Sequence, residues 1–569
     1  MKSKTSFFSP AVFRKNLTRF APNWVLYSIL MLMILFSFIS TDPGVRFAAA
    51  LADMTHVTAV IGLVYALINA QLLFGDLYSS RMCNALHAMP IRRECWFCTH
   101  VVTGLAFCAV PNAAFTLIFL LLSGNVWQSA LLWFAVSQLQ YVFFFGIAVL
   151  SAYCVGNRFA MFLVYGILQF LSPILYWLVC TLYEPLLYGI TIEDTLFSLL
   201  CPFLQFLGND YYRITYDVAG IHATFLGLQF GSGWLYLGIC AVLGLGALVL
   251  AMLLYRRRNL ECAGDFVALR PLGPVFHVLY TFCAGVCCHG FFSLFWGDDN
   301  FFFLVLGLGI GFFTGLMLLQ RSIGVIRVKN ILLFLGLLAG FGLTLALTAL
   351  DPMGVTRWIP EASDVRHVQI RTGGSRYLYH SEEDAALNGD PDIAKILAVH
   401  EQCLRHQTEG YQNDTRIRVS LTYTLQNGLT RQREYYMSIE TEAGRFLQKM
   451  LSRPEVVLGD LYTDPQNCEP VRMELSTGLL VLDEKAKLES LVQAIVKDCE
   501  AGVLAQDWAY RNQEDATSWL LLEARLSNGN YTNRDICFSS QCTHILAWLE
   551  ENCGLSWQDI LQLDGKFAS

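Results

Sequence analysis

HVTAVIGLVYALINAQLLFG, residues 56–75, carries a single ionisable side chain, His56, at its edge. A helix of about 20 predominantly apolar residues is long enough to cross the hydrocarbon core of a bilayer. The stretch that follows, DLYSSRMCNALHAMPIRREC (76–95), is polar, charged and too long for a tight turn. Outward from this pair, comparable apolar density recurs at 22–40, 99–122, 128–153, 159–181, 234–255, 277–296, 301–319 and 330–350. The expected fold is therefore an all-α polytopic membrane domain of nine transmembrane helices, followed by an α+β soluble domain.

The loops set the expected orientation. Lys2, Lys4, Arg14, Lys15 and Arg19 precede the first span, and Arg81, Arg92 and Arg93 follow the second. Arg158, then Arg256, Arg257, Arg258 and Arg270, then Arg321, Arg327 and Lys329 occupy later loops on the same side. The opposite loops hold Arg46 and Arg213, so sixteen basic residues face two. The positive-inside bias puts the N-terminus in the cytoplasm and, with nine spans, the C-terminal domain outside a cell membrane crossed many times.

Composition agrees: 55% of the 569 residues are apolar and 15% charged. The net charge of −7 divides into +5 for residues 1–350 and −12 for the remainder. The basic excess is accounted for by topology, so nucleic acid is not an expected partner, whereas membrane lipid is. The acidic domain is explained by solubility or by attraction of cationic ligands. Ala50-Leu51-Ala52 is cleavage-like but follows an apolar run too long for a signal peptide, so no cleavage is expected.

Of eighteen cysteines, twelve lie in or beside the spans, where thiols serve as small hydrophobes. Cys95-x-x-Cys98 with His100 lacks a second ligand pair, and no metal site is expected. Cys403, Cys468, Cys499, Cys537, Cys542 and Cys553 have no spacing that specifies a disulfide connectivity. Residues 8–20 space Phe8, Val12, Phe13, Leu17 and Phe20 as an interfacial amphipathic helix would. The 182–233 loop contains an apolar stretch, 196–207, too short to cross, which reads as interfacial or re-entrant. Gly307, Gly311 and Gly315, then Gly336 and Gly340, recur at four-residue steps and predict close helix packing.

Beyond residue 356 the sequence becomes that of a soluble domain. Asn427-Gly428 between 416–425 and 429–437 predicts a hairpin, with a helix over 441–451. About a hundred residues on, Asn528-Gly529 separates 518–526 from 531–538, with a helix at 542–552, which reads either as an internal repeat or as two similar hairpins. Further helices are expected at 392–406 and 484–500.

No G-x-x-x-x-G-K-[ST], H-E-x-x-H or G-x-S-x-G occurs, so the chain offers no nucleotide-binding or catalytic motif and no catalytic residue is assigned. Ionisable groups at membrane depth mark relays, and histidines apart the span centres contain none. His289 is the best isolated candidate and reads more simply as a hydrogen-bonded packing residue. The informative polar segments are 75–95, 255–276 and 320–330.

These segments resemble those of membrane permeases of bacterial ABC transporters, in a group common in Gram-positive Firmicutes. Leu86-His87-Ala88-Met89-Pro90-Ile91-Arg92-Arg93-Glu94 is similar to a characteristic stretch of that group, with Met89 in place of the usual leucine. Tyr255-Arg256-Arg257-Arg258, then Glu261, Ala263, Gly264 and Asp265, is similar to a second, with Pro271, Pro274 and Phe276 beyond. The resemblance covers the membrane half; the outside domain resembles C-terminal domains of no assigned role appended to some of these permeases. It implies a permease similar to the type 2 ABC exporters, whose loop after the second span holds a coupling helix docked on a separate cytoplasmic ATPase.

On that basis residues 1–21 form a cytoplasmic lead-in helix, 22–258 a six-helix permease-like core, 259–350 three further spans and 351–569 the extracytoplasmic domain. The coupling residues implied are Asp76, Arg81, Arg92, Arg93 and Glu94, with Glu261 and Asp265 from the second loop. ATP and magnesium would sit on the partner subunit, with no cofactor in this chain, and a homodimer or a paired permease is implied. The exporter core has six spans, so the last three and the outside domain fall beyond what the resemblance explains. The alternative is a membrane sensor whose acidic outer domain binds a ligand such as a cationic peptide.

Overall fold

The computed structural model describes residues 7–38, 44–89, 91–192, 195–219, 222–258, 264–268, 271–296, 301–372, 390–405, 416–438, 445, 447, 452–475, 480–504, 517–526 and 531–565. The chain divides into two compact units, one of residues 1–181 and 193–343, the other of Leu182–Ile192 and Thr344–Ser569.

The first unit begins with α1 (Pro10–Arg19) and α2 (Ala21–Phe38), which meet at an angle of 60°. Pro10 occupies the first helical turn, where its missing N–H costs nothing. Val12 and Asn16 point inward while Arg14, Lys15 and Arg19 are exposed, the face division expected over 8–20. Next come α3 (Val45–Phe74), a 3₁₀ turn (Gly75–Tyr78), α4 (Ser80–His87), α5 (Arg93–Leu122), α6 (Gln128–Cys154) and α7 (Arg158–Tyr183). After α8 (Thr195–Leu199), α9 (Pro202–Gly208) and a β1 (Tyr212–Ala219) and β2 (His222–Phe230) hairpin come α10 (Gly233–Arg257), α11 (Leu272–Trp296), α12 (Phe301–Gln320) and α13 (Val328–Leu350).

Among the described residues eight helices are long and apolar enough to cross a membrane, nine if the bent α1–α2 pair counts as one span, and the chain is a multi-pass membrane protein on that ground. The helix α3 starts well before the expected span, so the cleavage-like Ala50-Leu51-Ala52 lies inside it, with Leu51 buried. Residues 196–207 form two short helices, and the hairpin after them was not expected. Its alternating RITYDV pattern sits in a loop that a hydropathy reading passes over.

Two helix crossings depend on glycine. At Gly146 and Gly244 the backbones of α6 and α10 touch: a Cβ on Gly244 would lie 2.6 Å from the Phe143 Cα. On α12, a Cβ would come 3.0 Å from the Gly285 Cα at Gly307, 2.7 Å from the Ala284 Cβ at Gly311 and 2.8 Å from the His277 Cδ2 at Gly315. The α12 stripe is thus the seam against α11, as its spacing predicts. Gly336 and Gly340 of α13 have no neighbour within 4 Å of the corresponding position, so close packing does not extend to them.

The second unit holds two antiparallel sheets of like topology. β3 (Val365–Thr372) precedes α14 (Asp390–Arg405) and the hairpin of β4 (Arg416–Leu425) and β5 (Thr430–Ser438), with sheet order β3-β4-β5. After the short α15 (Pro454–Leu458) and α16 (Asp460–Thr463) come β6 (Cys468–Leu475), β7 (Leu480–Leu482), α17 (Lys485–Glu500), and the β8 (Thr517–Leu526) and β9 (Tyr531–Ser539) hairpin, in order β7-β6-β8-β9. Then follow α18 (Thr543–Cys553) and α19 (Trp557–Gly565). Each half runs strand, helix, hairpin, with β7 added between strand and helix in the second, and its first strand pairs with the first strand of its hairpin. Register matches as well: Leu421 faces Arg433 in one hairpin and Leu522 faces Arg534 in the other, and both arginines are buried. These correspondences extend the likeness of the two hairpins to the strands that precede them. Asn528-Gly529 and most of 441–451 lie outside the described residues.

Each half has its own core. Ile396 and Val399 of α14 pack on Val419, Leu421 and Tyr423, and Leu488, Leu491 and Ile495 of α17 on Met473, Leu520 and Leu522. The cysteines join these cores as small apolar groups: Cys403 and Cys537 one, Cys468, Cys499 and Cys542 the other. The buried Asp498 carboxylate accepts from the backbone N–H of His544 (3.1 Å) and Ile545 (2.8 Å), capping the N-terminus of α18 from a neighbouring helix.

The buried His400 ring lies between two tyrosines, its Nε2 2.6 Å from the Tyr435 hydroxyl and its Nδ1 3.0 Å from that of Tyr423. Onto Tyr435 folds the segment Leu182–Ile192. The Tyr188 hydroxyl donates to the Cys403 carbonyl (3.1 Å) and the Glu434 N–H to the Gly189 carbonyl (3.0 Å). Gly189 has a φ of +74° and abuts the Tyr435 ring, so any side chain there would be strained and would collide.

Two outcomes follow from this packing. Gly244→Val should destabilise the membrane unit by about 1–3 kcal/mol, read as a lower unfolding temperature in detergent, because backbone leaves the new methyls no room. Burial, assisted by the Arg433 charge, holds the His400 pKa down to about 4, below the value of about 6.5 in an unfolded chain. The unfolded state then binds the proton first, so this stability is complete above about pH 6.5 and is lost as pH falls toward 4, by up to about 3 kcal/mol. Calorimetry of the full chain should show the second unit melting earlier across that window, and His400→Gln should flatten the dependence.

Candidate functional site

The helix α3 ends at Phe74, and Gly75 opens the turn that carries the chain sideways into α4. A Cβ at Gly75 would lie only 3.5 Å from the Arg158 guanidinium. The inner side of this segment is held by Leu77 and Cys83, both buried, and burial pushes the Cys83 thiol pKa up, which marks it as packing. Its outer side exposes Arg81, while Met82 and Met89, each 43% exposed, line a cavity between the segment and α1. The chain then returns through Arg92 and Arg93 into α5.

Four of the expected coupling residues are engaged within the fold. Asp76 takes both guanidinium nitrogens of Arg19, at 3.3 and 3.4 Å. Glu94 pairs with Arg256 at 3.3 Å, and Asp265 with Arg321 at 2.5 Å. Arg93 donates to the carbonyls of Tyr255 (3.4 Å) and Arg258 (3.3 Å) and lies over the Tyr255 ring. Arg81 and Arg92 are exposed and form no ion pair among the described residues. Glu261 and Ala263 lie outside the described residues.

The three polar segments therefore meet at one end of the bundle. Residues 75–95 touch the end of α10 through Arg93 and Glu94, and residues 264–268 reach α12 through Asp265. Residues 264–268 also pair with the end of α6: Gly264 N–H donates to the Gly156 carbonyl (2.8 Å), Gly156 N–H to Asp265 (3.0 Å) and Ala268 N–H to Cys154 (2.9 Å).

Sequence reading missed Arg258, which it treated as a topology signal. Its guanidinium is buried and donates to the carbonyls of Ala152 (3.2 Å) and Tyr153 (3.4 Å). Those carbonyls end α6, so Arg258 caps α6 while Arg93 caps α10. In each case a cation meets the negative end of a helix dipole. The signal was a third consecutive arginine beside a span, a position topology alone does not require.

Also missed was a buried network of uncharged polar groups in the membrane unit. The Asn23 amide donates to Asn69 (2.6 Å), Asn69 to the Tyr141 hydroxyl (2.7 Å), and Tyr141 to the Gly104 carbonyl (3.0 Å). The Tyr27 hydroxyl donates to Asn112 (2.7 Å) and stacks on Tyr65, with ring centres 4.3 Å apart. These groups satisfy one another and tie α2, α3, α5 and α6 together; asparagine carries no titrating proton, which argues against a proton relay. His289 is 1% exposed and neither ring nitrogen has a partner among the described residues, unlike the hydrogen-bonded packing expected of it. It lies against Trp177, which lines an apolar groove of about 580 Å³ between α7 and α11.

No family model matches the chain, and comparison with curated proteins and with solved structures finds no match.

The buried cap and the half-exposed ion pair contribute unequally to stability. Arg258→Met should cost about 2–4 kcal/mol, because it strips the α6 carbonyls of their buried donor. Arg256→Gln, which breaks a half-exposed ion pair, should cost less than about 1 kcal/mol. Thermal unfolding of the two purified variants reads the contrast, and equal losses would refute it.

Proposed function

We propose that this chain is the membrane permease subunit of an ABC exporter, driven by a separate cytoplasmic ATPase. The observation that carries the reading is α4, a short helix set off between two spans, braced from below and exposing Arg81, with Arg92 exposed where the chain re-enters the bundle. The similarity of 86–94 and 255–265 to the permease stretches supports the same assignment. The arginine-rich end faces the cytoplasm by the positive-inside bias, and α2, entered through the bent α1, serves as the first of nine spans, leaving the C-terminal unit outside.

In this reading the roles within the loop separate. Arg81 and Arg92 dock on the ATPase. Asp76, Arg93, Glu94 and Asp265 transmit the push, because each ties the loop to the end of another helix. Closure of the ATPase dimer then moves α3, α5, α6 and α10 together rather than bending one loop.

A sensor is the second reading, favoured by one observation. The segment Leu182–Ile192, continuous with the end of α7, is built into the acidic C-terminal unit through Tyr188 and Gly189. Ligand binding by that unit would have a direct mechanical route to a transmembrane helix.

Mass spectrometry of proteins retained on the full chain, extracted from native membranes in mild detergent, tests the two. A stoichiometric Walker-motif ATPase is the expected result, and its reproducible absence favours the sensor. With the ATPase in hand, Arg81→Glu combined with Arg92→Glu should weaken its retention by at least about tenfold while leaving the unfolding temperature unchanged. Undiminished retention would sink the docking assignment.

A further inference from the structure

Beneath α4 lies a cavity of about 70 Å³, closed on one side by α1 and on another by the first turns of α5. Trp96 and His100 face it from α5, Lys15 and Arg19 from α1, Asp76 from the turn after α3, and Met89 from the α4 side.

Two polar atoms here lack partners among the described residues. His100 is 7% exposed and its Nε2 makes no hydrogen bond to them, and the Trp96 Nε1–H is sealed from solvent and equally unmatched. A buried polar atom left without a partner costs about 1–3 kcal/mol, so native structures rarely keep two side by side. The cavity is larger than one water needs, about 10–15 Å³, so it accepts a group of several heavy atoms. The indole N–H requires an acceptor, and the imidazole nitrogen accepts or donates according to its proton. A hydroxyl meets both demands at once.

The opposite wall supplies charge. Arg19 is shared with Asp76, but Lys15 forms no ion pair among the described residues, leaving a net positive charge at the mouth. The helix that carries them is amphipathic and turns 60° from α2, the arrangement of a helix lying at headgroup level beside its own span. A free anion would need only the lysine and arginine; the exposed Met82 and Met89 provide apolar lining that suits a lipid.

We propose that this cavity binds the headgroup of an anionic phospholipid bearing a free hydroxyl. The phosphodiester lies against Lys15 and Arg19, and the hydroxyl bridges Trp96 Nε1 and His100 Nε2. Asp76 stays neutralised by Arg19 and sets the rim. Because the methionines of the α4 segment form one wall, the bound lipid fixes the underside of α4 and makes its position depend on membrane composition. The proposal needs no ATPase and stands apart from the permease reading.

The test uses the full chain in nanodiscs of phosphatidylcholine doped with phosphatidylglycerol, with retained lipid counted by native mass spectrometry. Phosphatidylglycerol should be kept over phosphatidylcholine by about tenfold, a size that one or two cationic contacts provide. Lys15→Gln and Trp96→Phe should each remove most of that preference, whereas Arg14→Gln, on the same helix but outside the cavity lining, should leave it. Loss as large in Arg14→Gln as in Lys15→Gln overturns the site in favour of diffuse surface charge. An unchanged Trp96→Phe overturns the hydroxyl contact, and no preference in the parent overturns the proposal. Glycerol 3-phosphate in solution, added to detergent-solubilised chain, should not raise the unfolding temperature as the lipid does; an equal rise overturns the lipid source.

Discussion

A helix end buried beneath loops has no water at hand, so the carbonyls that finish it must find donors within the protein. At the arginine-rich end of this molecule that requirement is met by side chains from other segments. Arg258 closes α6 and Arg93 closes α10, and the strand-like 264–268 segment pairs with residues 154–156. Each cap joins two elements distant in the chain, so satisfying the backbone also assembles the loop face. The ion pairs Asp76–Arg19, Glu94–Arg256 and Asp265–Arg321 extend that frame to α1 and α12. None of these half-exposed pairs is strong by itself; their arrangement sets which arginines stay engaged and which remain outward.

Within the apolar region, association cannot draw on expulsion of water, and two other means replace it. Glycine brings α6 against α10 and α12 against α11 at backbone distance, where dispersion is greatest. Asparagine and tyrosine then cross-link α2, α3, α5 and α6 through hydrogen bonds. The first helices are therefore joined by directional contacts, whereas α13 has no buried residue among those described.

The C-terminal unit carries a different logic. Its two sheets repeat strand, helix and hairpin in the same order, each around its own core, and a buried arginine recurs at matching register. The halves have diverged in their buried polar centres. One holds His400 between Tyr423 and Tyr435, the other the Asp498 carboxylate on the first turn of α18. Leu182–Ile192 docks beside the histidine, so a proton-sensitive group and a segment leaving a transmembrane helix share the same few residues.

Periodicity and composition alone determined the spans, the loops that carry arginine, the α12 seam and the Asn427-Gly428 hairpin, because hydrophobic length and turn chemistry are local properties. Nearly all the soluble helices and strands that were expected and described fall within a few residues of their predicted bounds. The β1–β2 hairpin escaped notice because a window tuned to membrane helices averages away a period of two. The site was legible only as a set of charges. Asp76, Arg81, Arg92, Arg93, Glu94 and Asp265 look equivalent in sequence, and the tertiary structure separated those that brace helix ends from those left exposed. The same holds for Arg258, Trp96 and His100. Whether a polar group is paired, capped or stranded in a cavity depends on what distant segments bring within 3 to 4 Å of it, and that proximity is a property of the folded chain.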